Sequence, residues 1–135
     1  MTFSLEWDSR FKKNKNISVW PWSDLVSYVK RYSNFSKKNP KVLELGCGPG
    51  ANIPFFLSIT QNYYAIEGSS TIVKQLVKKF PKLKNNLVVG DFTLKIPFQK
   101  KFDMIYDRAA ITHNDTKSIL NCLENIHNKL NKNGL

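Results

Sequence analysis

The chain has 135 residues, room for one domain around a single core and too few for a second domain of ordinary size. Its net charge of +11 would suit a nucleic-acid surface, yet of 21 Lys and Arg only Arg10, Arg31 and Arg108 carry the guanidinium fork that grips phosphate at two points. Lysine is spread along the chain with abundant asparagine, a composition that speaks for non-specific association only, so nucleic acid is not the expected substrate.

The longest nearly unbroken apolar run, Ile53 to Leu57, contains Pro54 and is far shorter than the roughly 18 residues that span a bilayer. Met1 to Arg10 lacks the basic segment and apolar run of a secretory signal, so the expected compartment is the cytoplasm. Cys47 and Cys122 show no metal-ligand or redox spacing and read as reduced thiols, with no metal site expected.

In chain order, Trp7-Asp8 and Trp20-Pro21-Trp22 form an aromatic N-terminal stretch, followed by a helix capped by Ser23 or Asp24 and striped by Leu25, Val26, Val29 and Tyr32. Asn39-Pro40 closes this segment, so the chain divides at 1–39 and 40–135. Beyond it, short apolar runs alternate with amphipathic stretches, which predicts an α/β fold on a mostly parallel sheet. The strands expected are Val42 to Leu45, Tyr63 to Ile66, Leu87 to Val89 and Phe102 to Tyr106, the fourth beside the first. Asn52, Ile53, Phe55, Phe56 and Leu57 open a helix after the first strand. Ser70 caps another, striped by Ile72, Val73, Leu76, Val77 and Phe80 and stopped by Pro81. A last helix covers Thr116 to Leu130, with Asn114, Asp115 or Thr116 as cap, Ile119, Leu123, Ile126 and Leu130 as its stripe, and Gly134 as terminator.

The most informative stretch is Val42-Leu43-Glu44-Leu45-Gly46-Cys47-Gly48-Pro49-Gly50, a buried strand running into a glycine-rich turn. Glycine admits positive φ and lets a ligand approach backbone where a Cβ would intrude. At the carboxyl end of a strand, such a turn offers amide groups and a helix start to a polar ligand. Glu67, Gly90-Asp91 and Asp107 end the other strands, so acids gather at the same edge.

Glu44-x-Gly46-x-Gly48-x-Gly50 resembles motif I of class I S-adenosylmethionine-dependent methyltransferases, and the resemblance covers about Pro40 to Leu135. It implies a Rossmann-like doubly wound sheet, of which the first four strands are present. It also implies that Glu44, Leu45, Gly46, Cys47, Gly48, Gly50 and Asn52 hold the cofactor, that Glu67 with Gly68 serves its ribose, and that Asp91 and Phe92 serve its adenine. A carboxylate suits two ribose hydroxyls because it accepts from both. Tyr106-Asp107-Arg108-Ala109-Ala110 is similar to a segment of thiopurine-methyltransferase-like enzymes in which the arginine contacts the cofactor, so Asp107 and Arg108 join the set. The tryptophans look like the lid of small-molecule and sugar methyltransferases found with surface-polysaccharide genes.

The resemblance implies methyl transfer to a small-molecule or sugar acceptor, with S-adenosylmethionine as the only cofactor. A hydroxyl acceptor needs a base, and His113, near the end of the fourth strand, is the candidate, with Asp107 beside it. The small polar residue followed by Pro-Pro-aromatic that marks amide and base methylation is absent. Two other readings remain: Gly46-x-Gly48-x-x-Ala51 with Glu67 also satisfies a dinucleotide fingerprint of an NAD(P) oxidoreductase, and the chain could bind S-adenosylmethionine without catalysis. Asn131 to Leu135 resembles the turn into the family's fifth strand. The chain is therefore expected to be a C-terminally truncated fragment with an exposed sheet edge, inactive alone and marginally stable, aggregation-prone or dependent on a complementary polypeptide, the competing reading being a minimal domain whose last helix closes the sheet.

Overall fold

The computed structural model describes residues 5–15, 17–33 and 39–135. Four parallel strands, β1 (Val42–Leu45), β2 (Tyr63–Glu67), β3 (Leu87–Val89) and β4 (Met104–Asp107), form one sheet in the order β3-β2-β1-β4. The order of strand addition reverses between β1 and β4, so the crevice above their carboxyl ends is the switch point at which open α/β sheets bind ligands. This is the doubly wound architecture expected from the alternation of apolar runs.

Register sorts the side chains. Pairing of Val42 with Tyr63 and Met104, and of Glu44 with Ala65 and Tyr106, puts Val42, Glu44, Tyr63, Ala65, Met104 and Tyr106 on one face. That face is covered by α1 (Leu5–Lys12), α2 (Ser23–Tyr32), α3 (Ile53–Leu57) and α4 (Ser70–Lys79), which contribute Phe11, Val29, Ile53, Phe56, Ile72, Val73 and Leu76 to its core. Leu43, Leu45, Tyr64 and Ile66 point the other way, onto Phe98, Phe102 and Cys122 of α5 (Thr116–Lys129). Both faces are buried, which is why β1 reads as a nearly continuous apolar run.

Several expectations need correction. The fourth strand begins at Met104, because Phe102 makes an isolated bridge with Leu130 and the Asp103 carboxylate accepts from the Lys41 N–H at 2.8 Å. The second extends one residue, to Glu67. Helix α4 is capped by Ser69, whose Oγ accepts from the Ile72 N–H at 3.2 Å, and Ser70 is already helical. Trp22 occupies the cap position of α2 with no side-chain cap, since Asp24 Oδ1 takes the adjacent Leu25 N–H. The last helix ends at Lys129 and Asp115 caps it, accepting from the Ser118 N–H and Oγ.

Helix α1 was not anticipated. Two i,i+4 ion pairs, Glu6–Arg10 and Asp8–Lys12, mark its turns. The outer edge of β4 is not bare: Leu135 donates to the Asp103 carbonyl at 3.0 Å and accepts from the Ile105 N–H at 2.9 Å, the alternation of a parallel ladder. Among the described residues no helix is long and apolar enough to cross a membrane.

Candidate functional site

A cleft of about 270 Å³ opens over the carboxyl ends of β1 and β4. Its floor is the glycine turn. Gly46 and Gly48 take φ of +66° and +48°, values that cost an L-residue strain, and a Cβ on Gly46 would collide with the Cβ of Ala110 in the loop after β4. At Gly48 an added Cβ would meet only Phe11, at 3.9 Å, so this part of the turn presents bare backbone to the cleft.

Glu67 ends β2 and is 5 % exposed. Its Oε2 accepts from the Gly48 N–H and its Oε1 from the Ser69 N–H, both at 2.8 Å, so one carboxylate ties the glycine turn to the start of α4. Burial raises its pKa, against the backbone N–H groups of Ser69, Gly48 and Gly68. A carboxylate offers about four lone-pair sites, so these backbone groups leave part of its acceptor capacity free.

Glu44 is 2 % exposed on the otherwise apolar α1–α4 face of the sheet. Its oxygens accept from Asn52 Nδ2 at 2.9 Å and from the Tyr63 hydroxyl, and the buried Tyr106 hydroxyl lies against the same carboxyl. Burial raises its pKa to about 7, with Tyr106, Tyr63 and Asn52 acting in the opposite sense. Asn52 also reaches outward, accepting from the Trp22 N–H at 3.3 Å.

The N-terminal helices roof the cleft. Trp7 packs on Phe11 at 5.9 Å between ring centres and edge-on to His113 at 5.1 Å. Trp22 lies under the Arg108 guanidinium at 4.2 Å, and Arg108 also pairs with Asp24 at 3.4 Å. Asp8 fastens α1 to the body by accepting from the Ser69 Oγ at 2.5 Å; its bonds to Lys12 and Ser69 hold its carboxyl well below the usual range. Trp20 is 79 % exposed and takes no part in the roof, contrary to the expectation for all three tryptophans.

Of the residues expected to serve the site, the cleft wall brings together Glu44, Gly46, Cys47, Gly48, Asn52, Glu67, Gly68, Phe92, Arg108 and His113. Four lie outside it. Leu45 alternates to the opposite face of β1, and Gly50 faces Leu76 and Ile53 beneath the turn. Asp91 bends back to accept from the Thr93 N–H and Oγ1, leaving its Oδ2 buried and without a hydrogen bond. Asp107 accepts from the Ala110 and Ile111 N–H groups at 2.9 Å each, an arrangement that shapes the loop carrying Arg108 and His113. Burial raises its pKa against those same N–H groups. Cys47 is buried and its pKa is pushed well above the usual thiol value, which leaves no thiolate for nucleophilic chemistry. Phe11 and Tyr63 were missed, because each reaches the site through tertiary packing that no local motif announces.

This geometry, a glycine turn and two buried acids at the carboxyl edge of a doubly wound sheet, is that of a Rossmann-like ligand-binding fold. The family model described as "Methyltransferase domain" matches residues 42–134, and the chain belongs to that family. That membership removes the ground for the NAD(P) oxidoreductase reading. Solved structures share the fold. An S-adenosylmethionine-dependent methyltransferase from Clostridium acetobutylicum is 19 % identical, with a TM-score of 0.70 over 96 % of this chain and 52 % of that one. The glycopeptide N-methyltransferase MtfA, complexed with S-adenosylmethionine, is 20 % identical, with a TM-score of 0.70 over 86 % and 52 %. An amino pentose methyltransferase from Micromonospora echinaspora is 17 % identical, with a TM-score of 0.68 over 97 % and 53 %. The chain spans about half the length of the solved chains it matches. No curated protein matches it.

Proposed function

We propose that the cleft binds S-adenosylmethionine and that the protein, in the cytoplasm, transfers its methyl group to a small-molecule or sugar acceptor. The observation that carries this reading is the Glu67 carboxylate, fixed by the Gly48 and Ser69 N–H groups at the cleft wall with acceptor capacity left for a ribose diol. The rest of the donor set fits the same ligand. The Phe92 side chain lines the cleft and offers an apolar ring to an adenine. Glu44 supplies a carboxyl oxygen at the cleft wall, and Arg108, whose Nε is buried without a partner, supplies a donor for a carboxylate.

When bound, S-adenosylmethionine supplies a methyl group already activated by the sulfonium. The protein's own task is alignment and removal of water, which the roof of Trp7, Phe11 and Trp22 serves. His113, in the cleft wall and edge-on to Trp7, is the proposed base for an acceptor hydroxyl. Asp107 acts through the loop it shapes. The MtfA and amino pentose enzymes, whose names describe N-methylation of a glycopeptide and methylation of an amino sugar, support this acceptor class.

Calorimetric titration with S-adenosylmethionine and NAD tests the proposal. Binding of the former alone is expected, weakened by roughly 2 to 4 kcal/mol in Glu67→Ala as charge-assisted hydrogen bonds are lost. Binding of NAD alone, or affinity indifferent to Glu67, would overturn it.

A further inference from the structure

Glu44 is a carboxylate without a countercharge. Among the described residues none of the ion pairs includes it, and its hydrogen-bond partners are neutral: Asn52 Nδ2 and the Tyr63 hydroxyl from β2, with the neutral Tyr106 side chain of β4 beside them. The other ionisable groups around it are Cys47 on the turn, the acid Glu67 at the end of β2, and, across the cleft, Arg108 and His113. Arg108 is engaged with Asp24 and Trp22, and Glu67 disfavours a second negative charge. A buried carboxyl so placed resists ionisation because neutral hydrogen bonds replace only part of the solvation it has lost. It remains open to the cleft.

We infer that ligand binding in this cleft is proton-linked through Glu44: a cationic ligand seated against it supplies the missing countercharge, and the carboxyl ionises and releases its proton to solvent. This rests on the proposed binding of S-adenosylmethionine, which carries a sulfonium and an ammonium group. The balance is simple: the neutral acid and the cationic ligand become an ion pair plus one solvent proton, and no covalent bond other than O–H breaks. Because burial holds Glu44 protonated up to about pH 7, the linkage falls within the physiological range. Glu44 thereby favours cationic ligands over neutral nucleosides sharing the same ribose and adenine.

The test is calorimetric titration of the chain with S-adenosylmethionine at about pH 6 in buffers of different ionisation enthalpy, repeated across the pH range. On the order of one proton should be released per ligand at the acid end, with affinity rising about tenfold per pH unit and levelling above neutrality. Methylthioadenosine, which keeps the ribose that engages Glu67 but carries no cation, should bind without this release. Glu44→Gln should abolish the release for S-adenosylmethionine. Should that variant fail to fold, the infrared band of a protonated carboxyl in the native chain should vanish with S-adenosylmethionine and persist with methylthioadenosine. Tight binding with no proton release, or equal release with methylthioadenosine, overturns the linkage and leaves the cofactor assignment standing. Absence of any binding of S-adenosylmethionine overturns both.

Discussion

Two residues on β1 and its turn set the character of the site by opposite means. Gly46 is required by shape, since its φ of +66° and the approach of Ala110 leave no space for a side chain. Gly46→Ala is therefore expected to lower unfolding free energy by about 1 to 3 kcal/mol in urea titration, through backbone strain and collision together. Glu44 is set by solvation. Its folded pKa, about 7, lies above its ordinary value of 4.5, so the folded state holds this proton more tightly than the unfolded one. The contribution to stability is full below the unfolded value and declines as pH rises through about 7. Ligand-free protein should accordingly lose thermal stability between pH 4.5 and about 7, and Glu44→Gln should flatten that dependence. A native melting temperature that climbs steadily over this window would contradict the placement of Glu44. Its presence in motif I was legible in the sequence. Its hydrogen bond from Tyr63 was not, because it depends on the register of neighbouring strands.

At the level of elements, the serine-capped start of α4 joins the site to its roof. Ser69 caps α4 through Oγ, donates its N–H to Glu67 and its hydroxyl to Asp8 of α1. Ser69→Ala should cost about 1 kcal/mol of stability as a lost cap. It should also loosen α1, visible as a red shift of Trp7 emission in a chain whose Trp20 and Trp22 are replaced by Phe. An unchanged spectrum would mean that α1 is held by Trp7 and Phe11 packing alone. The strands and the long helices were readable because their apolar periods are strong. The start of α4 was displaced by one residue because two adjacent serines are equivalent in sequence and only the Ile72 N–H distinguishes them. Helix α1 escaped because its eight residues carry only a short apolar stripe; its two i,i+4 charge pairs were the available signal.

For the whole molecule, the sheet order β3-β2-β1-β4 brings the carboxyl ends of β1 and β4 together. It also turns acids and glycines scattered through the sequence into one cleft. Glu44, Glu67, Phe92, Arg108 and His113 were identifiable in the sequence because each lies on, or shortly after, the carboxyl end of a strand that the apolar pattern had located. Leu45 and Asp107 were assigned to the same edge and lie outside the cleft wall, since side-chain alternation and a local hydrogen-bonded turn decide direction where sequence gives only position. The account stands or falls on what occupies that cleft. The crystal structure of the chain grown with saturating S-adenosylmethionine is the direct measurement. The account predicts the ribose within hydrogen-bond distance of the Glu67 carboxylate, the adenine against Phe92, and the cationic end over Glu44 beneath Trp7 and Trp22. A ligand bound elsewhere, or one in the cleft with its ribose away from Glu67, would contradict it.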